Sequence, residues 1–529
     1  MSWSPSLPAA TAPFGGASPV LGNSPDGGCE TPFARSLDAV RDQLANLFPD
    51  GRFSDANAVR NRYAKTTLPR STTPLGVVWP VNRDEVSSLM RILSSHQIPW
   101  HTISRGRNWG YGDSCASGDG HLIIDMGEMN RIVEINEDLA YAVIEPGVTQ
   151  GQLADALNSS GSRLMLDVTG AGPDASIVGN VLQRGFGHTP YGDRTAHACN
   201  YEAVWPDGNM TRTGFGDIEK TTVGHVYPYG QGPNFQGVLA QSNAAVVTRM
   251  TIWLMPRPQR IDGFAFKTDD LSVFARMADR IGKLRQENVI GSVVHLANDL
   301  RVLSSQTQVA GDGNALDRRK PFTDRQRAYR AKKAGVAKWN GLGGLYGTNR
   351  IVAAKRKDIK KALSGICPVR FFRQRHVNAL NFAVDRMPSY VIPERIRNLT
   401  AAVTDVYDLL NGKPSAKHLE GAFYRNRPDS GNVIDVGLMW IAPVIPFRSG
   451  DVLRLTTELE PIASQFGFDL PVTISPVIPR AAVAVMNLSF DKSDADEASR
   501  AEHCYGAMRQ RLDEMGYPLY RTSSIKIAA

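Results

Sequence analysis

Ser104-Arg105-Gly106-Arg107-Asn108-Trp109-Gly110-Tyr111-Gly112 is the stretch on which the reading of this chain turns. It follows Pro99 to Ser104, a short β-rich run, so it is a glycine-rich turn leaving a strand. Glycines at 106, 110 and 112 allow backbone N–H groups to approach a pyrophosphate closely and to form an anion-binding nest. The spacing is neither the GxGxxG of a Rossmann unit nor the GxxxxGK[ST] of a P-loop. Taken alone, such a turn is equally well a plain structural one.

On the N-terminal side, Gly76 to Pro80 reads as a strand and Asn82 to Ser95 as a helix. Asn82 and Glu85 have capping-box spacing, and Val86, Leu89, Met90 and Leu93 recur on one helical face. On the C-terminal side, His121 to Met126, Arg131 to Asn136 and Ala140 to Glu145 suggest a β-meander. Thr149 and Gln152 then repeat the capping-box spacing ahead of a helix that should pack on that sheet. Pro256 and Pro258 end a β-rich run from Gly237 and mark a boundary; beyond them, helices such as Leu271 to Leu284 alternate with strands to about Phe490, and Asp494 to Met515 reads as a last helix.

With 529 residues, the chain is too long for one core. The expected division is an N-terminal arm and lead-in (1–60), a nucleotide-binding domain (61–258), a second domain (259–500) and a C-terminal segment (501–529) that returns toward the first. Hydrophobic residues at 42% and charged residues at 21% describe an ordinary globular protein. No apolar run approaches the ~20 residues of a membrane helix. The opening stretch to Asp26 is rich in Ser, Pro, Ala and Gly without the order of a signal peptide, and is expected to be a flexible arm. Cys29, Cys115, Cys199, Cys367 and Cys504 are scattered, with no CxxC and no zinc-ligand spacing, which predicts free thiols in a reducing cytoplasm and no metal site. The net charge of +8 is concentrated in Arg318 to Lys338 and Lys355 to Lys361. That pattern argues for a solvated surface rather than a nucleic-acid or membrane face, with steering of an acidic substrate or an acidic carrier protein as the alternative.

The turn gains meaning from its company: Glu145-Pro146-Gly147-Val148, Ser176-Ile177-Val178-Gly179-Asn180, Gly187-His188-Thr189-Pro190-Tyr191-Gly192-Asp193 and Gln241-Ser242-Asn243. In this order the blocks resemble the vanillyl alcohol oxidase and p-cresol methylhydroxylase family of FAD-dependent oxidoreductases. The likeness is dense from Leu75 to Pro256 and continues more thinly through Gly344-Leu345-Tyr346-Gly347, Trp440 to Pro443 and Tyr520-Arg521. It implies an α+β, two-domain FAD-binding fold, in which an FAD domain carries a cap or substrate domain built on an antiparallel sheet with flanking helices. It also implies that Arg105, Gly106, Arg107, Asn108, Gly110, Gly147, Ser176, Gly179, Asn180, Tyr191 and Gly192 serve the cofactor. A homodimer is the default assembly.

Tyr111, Tyr520 and Arg521 match the two tyrosines and the arginine that hold a phenolate in the phenol-oxidising branch. The chemistry requires such groups, because a free phenol ionises only near pH ~10 and needs a cation and donors to become an anion in the cell. The phenolate then pushes electrons to its para position, so that a hydride lost from the benzylic carbon leaves a p-quinone methide. Hydroxylation, dehydrogenation or loss of a carboxylate follows, the last suiting a tyrosine-derived acid.

The resemblance also has gaps. The family histidine that bonds the flavin falls at Leu438, which predicts FAD held without a covalent link, a tyrosyl link from the cap being the alternative. Arg480 matches an active-site arginine but is followed by Ala481-Ala482-Val483-Ala484 instead of imidazoles, which predicts a more apolar pocket. Asp174 and His188 are the candidate bases, with Asp167 nearby; a surface turn and a structural histidine are the competing readings. The chain ends eight residues after Arg521, short of a further helical segment that is expected to help retain flavin. Competing functions are a sugar or hydroxy-acid oxidase on the same fold and a catalytically silent flavin carrier.

Overall fold

Asn82 caps the helix Arg83–Ser95, its side-chain oxygen accepting from the N–H groups of Asp84 and Glu85. Glu85 does not close the reciprocal half of the box: it accepts from Val81 N–H at 2.9 Å and pairs with Arg52 at 2.6 Å. The buried face predicted for this helix, Val86, Leu89, Met90 and Leu93, packs with Leu37, Val40 and Leu44. Those residues belong to a helix, Pro32–Leu47, in a region the sequence reading leaves as lead-in. The computed structural model describes residues 32–306, 321–386, 392, 394–423 and 436–525; the expected arm to Asp26 and Cys29 lie outside them.

Strands Gly76–Val78 and Trp100–Ile103 flank Leu122–Asp125, and both run parallel to it. The expected meander is therefore corrected. Leu122, Ile123 and Ile124 are all buried, as a central parallel strand requires, whereas Ile132–Asn136 is partly exposed throughout and sits at the edge of another sheet. That second sheet is antiparallel and joins Ile132–Asn136, Tyr141–Ile144, Val246–Trp253, Ala198–Val204 and Met210–Arg212. Thr149 caps Gln150–Ser159 through Gln152 N–H, and Leu153 and Leu157 of that helix pack in the core beside Ala142 and Ile144 of the sheet.

After Met255–Pro256, which pairs with Leu164–Met165, the chain enters an eight-stranded antiparallel sheet. Its order is Val369–Arg373, Arg260–Thr268, Trp339–Gly347, His295–Asn298, Val472–Ile478, Ala481–Phe490 and Gly437–Ile441, with Val444–Pro446 pairing Ala481–Phe490. Helices Leu271–Gln286, Ser449–Gln465 and Ala495–Met515 bury their apolar faces in one core with this sheet. Cys504, Met508 and Leu512 of the last helix are part of that core, so the start of the expected C-terminal segment packs on the second domain's sheet. The architecture is the expected α+β fold of two domains.

Cys115, Cys199, Cys367 and Cys504 are buried free thiols. Among the described residues no helix is long and apolar enough to cross a membrane.

Candidate active site

Three glycines hold the turn 104–112 in conformations that L side chains avoid: Gly106 at φ 59°, Gly110 at φ 71° and Gly112 at φ 121°. Gly110 N–H donates to Thr67 Oγ1 at 2.8 Å, and Asp113 gathers Thr67 N–H, Thr67 Oγ1 and Thr66 Oγ1. Burial pushes the Asp113 carboxyl up to about 6 despite these donors. The strand Gly437–Ile441 lies on the turn: a Cβ at Gly110 would stand 2.3 Å from Trp440 Cδ1, and Leu438 N–H donates to Thr67 O at 2.8 Å. Gly112 is equally committed, since a Cβ there would meet Ser524 Oγ at 1.8 Å.

That last contact shows how the C-terminus returns. Ser524 N–H donates to Tyr111 O at 2.7 Å, Tyr520 N–H donates to Ala442 O at 3.1 Å, and Gln241 Nε2 donates to Tyr520 O at 3.1 Å. The segment thereby carries Tyr520 and Arg521 to Tyr111. The Arg521 guanidinium carbon lies 3.6 Å from the centre of the Tyr111 ring, and Nη2 donates to Asn108 Oδ1 at 3.1 Å. Phe186 packs edge-on to Tyr520 with ring centres 6.4 Å apart. Burial and the neighbouring Tyr520 raise the Tyr111 phenol well above its usual range, against the pull of Arg521, so Tyr111 remains a donor. For Arg521, burial is outweighed by Tyr520 and Tyr111, and its pKa is raised. The three groups named from the sequence therefore converge on one point.

They line a cavity of about 1440 Å³, more than the ~300–1,000 Å³ of a single-ligand pocket. Arg105, Gly106, Arg107 and Asn108 line it from the turn, and Ser176, Gly179 and Asn180 from the start of the helix Ile177–Leu182. A Cβ at Gly179 would press on Ser104 Oγ at 3.1 Å, so the turn and this helix meet closely along one wall. The volume and the polar, glycine-lined wall fit a dinucleotide with its reactive ring beside Tyr111 and Arg521. Gly110, Gly147, Tyr191 and Gly192, also expected at the cofactor, are not among the lining residues. Gly147 instead lets the chain pass Gly127 O, which a Cβ would approach to 2.4 Å, and Tyr191 stacks on His197 at 4.1 Å.

Two expected catalytic groups do not join the site. Arg480 is exposed on the connection between Val472–Ile478 and Ala481–Phe490, where its carbonyl accepts from Phe447 N–H. Asp174 is a surface carboxylate, its nearest cation being Arg107 at 3.9 Å. Asp167 is buried but fully engaged by Arg194, Thr189 and His188 N–H. Only His188 of the candidate bases reaches the cavity.

The expected loss of imidazoles is corrected as well. His295 from the strand His295–Asn298 and His418 from the helix Lys417–Ala422 line the cavity with His188, the His188 ring lying 4.5 Å from His295 and 6.1 Å from His418. His418 Nε2 is 3.0 Å from Asp405 Oδ2. Burial holds His188 down at about 3 and His101, elsewhere on the wall, at about 4; His295 is also held well below its ordinary value, first by burial and then by His188. His188, His101 and His295 stay neutral in the folded protein. Neither His295 nor His418 sits in a motif, so only their position in the fold reveals them.

The depressed imidazoles make stability depend on pH. Below about 6.5 the unfolded chain takes up protons that the folded chain refuses until about pH 3 to 4, so stability is lost as pH falls, at about 2 kcal/mol per ring by pH 5. Asp113 opposes this more weakly, since its raised pKa favours the fold on acidification. The thermal midpoint is expected to fall from pH 7 to pH 5, and His188→Asn to flatten the profile; an unchanged midpoint in the parent protein contradicts this. Leu438 has no nucleophile, and the tyrosines among the described lining residues are Tyr111 and Tyr520. Denaturation with trichloroacetic acid should release all the FAD into the supernatant, whereas yellow colour in the pellet would reveal a covalent bond.

Residues 74–214 match a family described as an FAD binding domain. Along nearly its whole length the chain is similar to 1'-carboxy-chondrochloren decarboxylase of Chondromyces crocatus, with 33% identity over 93% of this chain and 90% of that one. It is also similar to the 4-cresol dehydrogenase [hydroxylating] flavoprotein subunit of Pseudomonas putida, with 27% identity over 87% of this chain and 83% of that one. The crystal structure of p-cresol methylhydroxylase with substrate bound superposes with a TM-score of 0.81 at 26% identity, covering 93% of this chain and 90% of that one. With the wall of the cavity, the two-domain fold and these likenesses in agreement, the chain belongs to the vanillyl alcohol oxidase and p-cresol methylhydroxylase type of FAD-dependent oxidoreductases.

Proposed function

We propose that this protein oxidises a para-substituted phenol bearing a carboxylated side chain, and that the oxidised intermediate loses CO2. The observation that carries the phenol is Arg521 stacked 3.6 Å over Tyr111 with Tyr520 beside it, at the wall of the cavity. A permanent guanidinium charge and phenolic donors favour an ionised ring, each pKa unit of lowering being worth about 1.4 kcal/mol. Asn108 holds the guanidinium in place through Nη2. Bound FAD supplies the acceptor for the hydride that leaves the benzylic carbon. The protein's own part is to position the ring and to keep its oxygen anionic.

Lys267, Arg370 and Lys417 also line the cavity and support an acidic substrate or one borne on an acidic carrier. The name of the Chondromyces crocatus relative, a decarboxylase, favours loss of CO2 over addition of water. Anaerobic mixing of the holoenzyme with a 4-alkylphenol should bleach the flavin band, while the methyl ether of the same compound should leave it unchanged. Reduction by the ether at the same rate would overturn the phenolate mechanism. With a 3-(4-hydroxyphenyl)propanoate-type acid, a product lighter by CO2 and two hydrogens is expected, and a product heavier by one oxygen would instead indicate hydroxylation.

A further inference from the structure

His188 and His295 face the cavity as a close pair, with ring centres 4.5 Å apart and planes tilted by 51°. His295 Nδ1 is 2.9 Å from Ser475 Oγ, while His295 Nε2 is buried and has no hydrogen-bond partner. A buried polar atom left unsatisfied is uncommon and calls for a missing partner. The cations nearest the pair are otherwise occupied, Arg194 by Asp167 and Arg285 by the carbonyls of Gly291 and Val477, while His418 stands beside Asp405.

The pair and the phenol end line the same cavity and are linked by one short segment. Phe186, which packs on Tyr520, is extended and bridges to Asp193. His188 follows two residues later, at the start of the tight turn closed by Gly187 N–H to Gly192 O, so both residues belong to one short segment of the cavity wall.

We propose that His188 and His295 bind the carboxyl group of the substrate, an assignment that rests on the reading of the protein as a phenol oxidase acting on an acid. The chemistry favours neutral donors here over a guanidinium. After hydride loss from the benzylic carbon, the bond between the neighbouring carbon and the carboxylate breaks. Its electron pair forms the new C=C bond, and the exocyclic double bond of the quinone methide passes its pair through the ring to the oxygen, giving a phenolate and CO2. Negative charge thus moves from the carboxyl end to the phenol end. Neutral imidazoles can orient the carboxylate without stabilising its charge as a cation would, and Arg521 receives the charge at the other end.

The test uses holoenzyme and two probes, 3-(4-hydroxyphenyl)propanoate and 4-propylphenol, the apparent Kd of each being read from the concentration dependence of anaerobic flavin reduction. The unaltered protein is expected to bind the acid at least 10-fold more tightly than the alkylphenol. In His295→Leu that ratio should collapse toward one, and His295→Asn, which keeps a neutral donor, should restore part of it. Uniform losses caused by altered packing cancel in the ratio. His188→Asn and His188→Leu provide an independent pair should the His295 variants fail to fold. A ratio unchanged within about twofold in the leucine variants overturns the assignment while leaving the phenol reading intact. Failure of the unaltered protein to bind 4-propylphenol overturns the phenol reading itself.

Discussion

Arg521→Ala is expected to lower kcat/KM for a 4-alkylphenol by about 100-fold or more, the cost of withdrawing the cation that pairs with a buried anion. Arg521 is the cation that sits directly on Tyr111, and it is fixed between that ring and Asn108 Oδ1. Without it the substrate phenol reverts toward its ordinary pKa, and most bound substrate is protonated at neutral pH. The loss should therefore shrink as assay pH rises toward 10. Arg521→Lys keeps a charge but neither the planar stack nor the reach to Asn108, and should recover only part of the activity. Steady-state kinetics across pH 7 to 10 checks all three expectations. Equal kcat/KM in the alanine variant would remove Arg521 from the chemistry.

Asp167→Ala is expected to destabilise the protein by about 3–5 kcal/mol, because it leaves the Arg194 guanidinium buried without its counter-charge. One Asp167 oxygen accepts from His188 N–H, Thr189 N–H and Thr189 Oγ1, and the other from Arg194 Nε at 3.1 Å. Arg194 in turn reaches Asn180 Oδ1 at 3.1 Å and the carbonyl of Asp167. Removing the carboxylate should thus loosen both the cavity-facing His188 and the Asn180 wall. A lower urea midpoint together with weaker FAD retention is the expected pair of results. The double variant Asp167→Leu/Arg194→Met should regain much of the stability, since neither charge is then left buried alone. If Asp167→Ala instead abolished turnover with no change in stability, Asp167 would be a catalytic base and not the structural anchor described here.

How far the fold could be read in advance follows from the range of the forces involved. The helix Arg83–Ser95 was legible because its cap and its apolar stripe are neighbours in sequence. The glycines at 106, 110 and 112 were legible because a turn after a strand has a local signature, and each does adopt positive φ. Pairing of strands has no such signature. Adjacent β-rich runs usually pair, so the sequence suggests a meander for Leu122–Asp125, yet the strand is buried between two parallel neighbours. The helix Pro32–Leu47 lies beyond the expected arm, in the lead-in to which the sequence reading assigns no element.

From residue order alone one could name the family resemblance, the glycine-rich turn and the trio Tyr111, Tyr520 and Arg521, because each is carried by a short motif. Folding was needed to show that Arg480 and Asp174 lie at the surface, and that His295 and His418 come to stand beside His188. Those three rings arrive from a loop, a sheet strand and a short helix, and their meeting depends on strand register and domain packing. A solitary histidine announces nothing of that to its neighbours in the chain.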